Sequence, residues 1–188
     1  ASTFQTPSTY TLSGDSYEVG VYEAHKATGS IDVDGILDDA YLASTPIEIA
    51  ATCDGVVSAT GFAYFVWDNS NIYCYTVVND TDPHAYENGD GWLSDSVEFV
   101  LDTWNKSTTW NQNYGDSYRG GDYQGEGQFR VNAGGNTCTG MHWMFDDGGV
   151  SKTVASRIIE GEGYTAEFKI DWASFKNSAA AGKQVAVA

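Results

Sequence analysis

Two aromatic, β-branched runs face each other across a short polar link, and no other stretch restricts the fold so strongly. Phe62-Ala-Tyr-Phe-Val-Trp67 and Ile72-Tyr-Cys-Tyr-Thr-Val-Val78 flank the turn Asp68-Asn-Ser-Asn71, a pattern that predicts a long β-hairpin. Shorter runs of strand character occur at 9–12, 17–22, 47–50, 127–132, 139–145, 153–159, 164–170 and 185–188. A short helix is expected at 37–43, tucking Leu37 and Tyr41 inward, and a helical start at 171–175. Many short strands between turn signals predict an all-β chain, a jelly-roll-like β-sandwich. At 188 residues it makes one domain with a sizeable core. Trp67, Tyr73, Phe168 and Trp172 are expected in that core.

The stretch Trp92-Leu-Ser-Asp-Ser-Val-Glu-Phe-Val-Leu-Asp102 alternates with a period of two. Val97, Phe99 and Leu101 point one way; Ser96, Glu98 and Val100 point the other. Gln128-Phe-Arg-Val-Asn132 repeats the pattern, with Gln128, Arg130 and Asn132 on one face. If the two strands share a sheet, Glu98, Gln128 and Arg130 lie on one surface with Trp92 at its rim. An aromatic plate covers the C–H face of a sugar while fixed donors and acceptors take its hydroxyls, so these four residues form a candidate carbohydrate site. The plain alternative for Glu98 and Arg130 is a cross-strand ion pair.

A net charge of -17 repels phosphate backbones and excludes nucleic acid as a partner. No stretch is long and apolar enough to span a bilayer. Such an excess of carboxylates is eased by divalent cations, and calcium takes six to eight oxygens. Asn79, Asp80, Asp82, Asp90 and Asp95 are the densest candidate calcium ligands, with Asp32, Asp34, Asp38 and Asp39 as a second cluster. Three cysteines, Cys53, Cys74 and Cys138, allow one disulfide in three pairings. The glycine-rich, turn-rich composition and the start at Ala-Ser-Thr suit a trimmed, secreted protein. No nucleophile motif or histidine pattern supports catalysis, and a non-enzyme is expected.

Several pieces resemble, in order, the family 9 carbohydrate-binding modules. Val33-Asp-Gly-Ile-Leu-Asp-Asp-Ala-Tyr41 is similar to that family's "IDG-x-hydrophobic-D-x-x-W", with Val33 where Ile is usual and Tyr41 where Trp is usual. Trp67-Asp-Asn-Ser-Asn-Ile-Tyr73 and Val78-Asn-Asp80 resemble its hairpin and closing "V-x-D". The segment from Trp92 to Asp102 carries its "W-x-x-DSVE", and Gln128-Phe-Arg-Val-Asn132 its "QFRVN". Gly163-Tyr-Thr-Ala-Glu-Phe-Lys-Ile-Asp-Trp172 matches "GY-x-x-E-x-x-I-x-W".

The resemblance covers about 23–188. It implies a calcium-bearing β-sandwich, often attached to xylanases, that grips the ends of glucan and xylan chains between two indoles. Trp92 matches one indole, and Glu98 and Arg130 match residues bonding sugar hydroxyls. It further implies another strand and the second indole beyond the position of Ala188. Residues 1–22, a strand-forming arm ahead of the module, are expected to fill that place, either in cis or from a neighbouring copy. The second possibility makes the chain an extracellular structural subunit, self-assembling into filaments or tubes with calcium at the contacts.

Overall fold

The structure, a computed structural model, describes residues 5–12, 15–53, 56–85, 94–102, 126–135, 152–175, 178–183 and 185–187. The first strands are β1 (Gln5–Leu12), β2 (Asp15–Val21), β3 (His25–Lys26), β4 (Ile47–Cys53), β5 (Val56–Trp67) and β6 (Asn71–Asn79). They are followed by β7 (Ser96–Asp102), β8 (Glu126–Asn132), β9 (Lys152–Ile159), β10 (Gly163–Asp171) and β11 (Ala186–Val187). No α-helix occurs among the described residues. The strand expected at 139–145 lies outside them.

The hairpin forms where the sequence places it, and Asp68 shows why. Its Oδ1 accepts the backbone N–H of Ser70 at 2.7 Å and of Asn71 at 2.6 Å, and its Oδ2 accepts the Tyr73 hydroxyl at 2.7 Å. An aspartate bonding the backbone two residues on is an Asx turn. From it β5 and β6 run antiparallel, Trp67 opposite Ile72 and Thr60 opposite Asn79. β10 pairs with the other edge of β6 and β9 with β10, while β3 and β4 share the far edge of β5. The result is a six-stranded sheet. A second, three-stranded sheet has the order β11-β7-β8. Residues of the N-terminal arm form a two-stranded sheet of their own, β1 with β2.

The two larger sheets bury one core between them. Phe99 of β7 sits against Phe168 of β10, centroids 4.8 Å apart, and against Phe65 of β5 at 6.4 Å, both edge to face. Leu101, Val131, Cys74, Ala166 and Ile170 fill the same space and are buried. Trp172 and Phe168 are buried there as expected, with Trp67 partly buried beside them. The Cys74 thiol is buried and free.

β6 and β10 are buried on both faces, which alternation alone does not predict. The outer face is covered by a strap. Its ends are tied by the His25 N–H to Ser44 Oγ (2.8 Å) and the Ala27 N–H to the Trp67 carbonyl (2.8 Å). Tyr41 enters a second cluster with Val66, Tyr73 and Tyr75. The helix expected at 37–43 is a 3-10 turn, Asp39–Ala43, that buries Tyr41 but leaves Leu37 at the surface. The reason is the clasp that precedes it. Glu167, fully buried on β10, accepts the N–H groups of Asp34 (3.0 Å) and Gly35 (2.8 Å) on Oε2, and the Tyr41 hydroxyl (2.9 Å) on Oε1. Asp34 and Asp38 cap the strap's own backbone, accepting the N–H groups of Ile36 and Asp32. The second acidic cluster thus organises the strap.

Candidate functional site

β7 and β8 place the expected polar face as the alternation requires. Val97 lies opposite Val131, and Val97, Phe99, Leu101 and Val131 face the core. Glu98 lies directly opposite Arg130 on the other face. The two side chains touch, Arg130 Nε donating to Glu98 Oε2. They are 32% and 20% exposed, so solvent reaches both. A cross-strand pair of this exposure stabilises by about 1 kcal/mol or less. Its chemistry is more distinctive than its energy: a planar donor fork and a two-oxygen acceptor stand side by side, matching adjacent hydroxyls that both donate and accept.

Gln128 occupies the register position opposite Val100, one pair from Glu98–Arg130; its side chain lies outside the described residues. So do Trp92 and Asp90. The stubs of the segment that carries them are described. The Asp95 N–H donates to the His84 carbonyl at 2.9 Å, and the Ala133 N–H donates to the Asp95 carbonyl at 2.9 Å.

Of the expected calcium ligands, Asn79, Asp80, Asp82 and Asp95 are described, and they are engaged with protein partners. Asn79 Nδ2 donates to Thr60 Oγ1 at 3.1 Å, Asp80 Oδ1 accepts the Asp82 N–H at 3.0 Å, and Asp95 Oδ2 accepts the His84 N–H at 2.6 Å. Burial, then the charges of Asp95 and Asp80, push the Tyr164 hydroxyl far above the usual tyrosine range. Yet among the described residues no three His, Cys, Asp or Glu side chains gather as a metal site.

Two residues that hold this arrangement were not singled out by composition or alternation. Glu167 lies on the side of β10 opposite Phe168 and is buried, bonded to the strap. Its signal was its place in the GY-x-x-E run. His84 has no sequence signal, since its role rests on its backbone N–H.

A two-sheet sandwich carrying polar groups on one open strand pair defines a β-sandwich binding module, and the comparisons agree. The chain belongs to the family described as "Carbohydrate family 9 binding domain-like", whose model matches residues 33–188. It is 30% identical over 164 residues to endo-1,4-beta-xylanase A of Thermotoga neapolitana, covering 85% of this chain and 14% of that protein. It is 29% identical over 161 residues to endo-1,4-beta-xylanase A of Thermotoga maritima, covering 84% of this chain and 13% of that one. The chain thus spans about one seventh of the length of the curated relatives it matches. Among solved structures, a family 9 carbohydrate binding module from Caldicellulosiruptor kristjanssonii in complex with cellotriose matches with a TM-score of 0.61 at 17% identity, over 87% of this chain and 73% of that one. A module of that family from the same organism in complex with glucose gives 0.56 at 19%, over 87% and 74%. At these identities the likeness speaks for the fold, a β-sandwich.

Proposed function

We propose that this chain is a non-catalytic module that binds β-linked glucan or xylan chains and their oligosaccharides through Glu98, Arg130, Gln128 and Trp92. The observation that carries the reading is the direct opposition of Glu98 and Arg130 on the face of β7–β8 away from the core. Membership of the binding-module family and the sugar-bound fold relatives support it. Titration calorimetry with cellotriose and xylotriose tests it. Arg130→Ala and Glu98→Ala are expected to weaken binding about tenfold or more, since each removes a charged hydrogen-bonding partner, while stability changes by about 1 kcal/mol or less. Unchanged binding in both variants sinks the site.

Secretion belongs to the same reading, because polysaccharide chains are met outside the cell; recovery of the protein from cells rather than medium counts against it. Calcium stabilisation is a separate proposal, with ligands drawn partly from Asp90 and its neighbours. Self-assembly by exchange of residues 1–22 has less support. β1 and β2 already satisfy one edge of each other, whereas strand donation calls for an unpaired strand. Deleting residues 1–22 and weighing the particles tests it.

A further inference from the structure

The strap covers only part of the outer side of the six-stranded sheet. Ala63 and Phe65 of β5 face the core, so Phe62 lies on the outer side. Side chains directly opposite each other on neighbouring strands share a face. Glu48 of β4 lies opposite Phe62, and Phe62 opposite Val77 of β6. The row continues to Thr165 of β10 and Arg157 of β9. There the strap closes it: Thr165 Oγ1 donates to the Gly35 carbonyl at 2.7 Å and Arg157 Nε to the Asp34 carbonyl at 2.8 Å. The next row is Thr60, Asn79, Gly163 and Ile159. Phe62 is 42% and Ile159 41% exposed, Val77 is half-buried, and Glu48, Thr60 and Asn79 are exposed. Asn79 Nδ2 donates to Thr60 Oγ1 at 3.1 Å, which fixes the amide on this face. Gly163 adds no side chain, so the floor beside Asn79 is bare backbone. The two rows make a flat shelf with a ring, an amide, a hydroxyl and a carboxylate on it.

We infer that this shelf is a second carbohydrate contact, taking an uncharged polysaccharide chain against Phe62 on the sheet opposite Glu98 and Arg130. The inference rests on the carbohydrate reading and extends it to another face. An exposed ring covers the C–H side of a sugar, while Asn79, Thr60 and Glu48 supply donors and acceptors for its hydroxyls. Charge selects the occupant. Asp80 follows Asn79, Glu160 follows Ile159 and Glu162 precedes Gly163, and the Asp80 N–H donates to the Glu162 carbonyl at 3.2 Å. With Glu48 at the other end, this acidic rim repels an anionic polymer, and it repels a second copy of a chain whose net charge is -17. A neutral polyol meets no such repulsion. Two contacts on opposite faces of the sandwich engage separate stretches of polymer, and the second then binds at a raised effective concentration. The shelf therefore adds retention on polysaccharide rather than affinity for a trisaccharide.

An amide NMR titration with cellohexaose reads the two faces separately, and binding to insoluble cellulose and xylan reads their sum. In wild type the amides of Phe62, Val77 and Asn79 are expected to shift as well as those of Glu98 and Arg130. Phe62→Leu keeps an apolar side chain but removes the ring. It is expected to lose the shelf shifts, to keep cellotriose affinity within about twofold, and to be held on insoluble polymer about fivefold less. Phe62→Trp restores a ring and is expected to bind like wild type, while Arg130→Ala is expected to keep the shelf shifts. Shifts at Glu98 and Arg130 alone, or equal retention of wild type and Phe62→Leu, overturn the shelf and leave the first site standing. Shifts at the shelf alone support it and refute the Glu98–Arg130 site; shifts at neither refute both. A dimer in solution that Phe62→Asp returns to a monomer overturns the sugar contact in favour of a second copy. If Phe62→Leu fails to fold, the wild-type titration decides.

Discussion

Glu167 shows how one residue can set the conformation of a distant segment. Its two oxygens take three donors from the strap, and Thr165 Oγ1 adds a bond to the Gly35 carbonyl at 2.7 Å. Glu167→Ala leaves two backbone N–H groups and a hydroxyl without their acceptor and is expected to cost about 3 kcal/mol or more in a denaturation series. Glu167→Gln keeps an acceptor for the backbone pair and turns a donor toward Tyr41, so it is expected to cost much less. Burial, outweighing the bonds from Gly35, Tyr41 and Asp34, holds the Glu167 carboxyl above the usual glutamate range. The sign follows: the native state takes up a proton at higher pH than the unfolded state. This contribution is thus fully present below the ordinary glutamate pKa and is lost as pH rises through the raised one. Stability should therefore gain as pH falls from neutral toward the ordinary glutamate range, and Glu167→Gln should lack that gain; parallel profiles for the two proteins would refute it. None of this was legible in the residue alone. Glu167 lies on the side of β10 opposite Phe168, and only the strap makes that side an interior.

At the level of elements, the strands were legible and their covering was not. The β5–β6 hairpin, β7, β8, β9, β10 and β11 stand where period-two patterning and turn chemistry put them, within the shifts of a few residues that strand ends show. The short helix differed, because the Glu167 clasp fixes the chain at 34–35 before the 3-10 turn can begin. The glycine that opens β10 has a reason only the pairing reveals. Gly163 has φ +146, and a Cβ there would lie 1.9 Å from the Val78 carbonyl oxygen and 2.9 Å from the Asp80 nitrogen. Both are backbone atoms of the adjoining strand and its exit. Gly163→Ala is expected to destabilise by about 3 kcal/mol, from strained φ and displacement of β6. Thermal unfolding measures it, and a shift of less than one degree would show that the strand pair yields freely.

For the whole molecule, the open question is how an acidic chain tolerates its charge. Asp80 and Asp95 accept backbone N–H groups, and the strap's aspartates cap its own turns, so part of the charge of -17 faces backbone donors. Calcium is expected to raise the unfolding midpoint by several degrees over chelator if it joins this end of the fold, because a ligand that binds only the native state stabilises it by mass action. Equal midpoints at millimolar calcium and in chelator remove the ion from the account. The pair Glu98–Arg130 rests in either case on a strand pair anchored by Phe99 and Val131 in the core.

The sequence by itself determined the class of fold and the two faces of β7 and β8, with Glu98 and Arg130 each on the polar one. A period of two leaves no freedom about which side chains share a surface once one face is apolar. Tertiary structure decided what alternation cannot encode. It made the outer side of β6 and β10 a second interior, turned Glu167 from a surface charge into a clasp, and joined Asp95 to His84 and Ala133. Each of these depends on contacts between segments far apart in the chain, and local pattern carries no term for them.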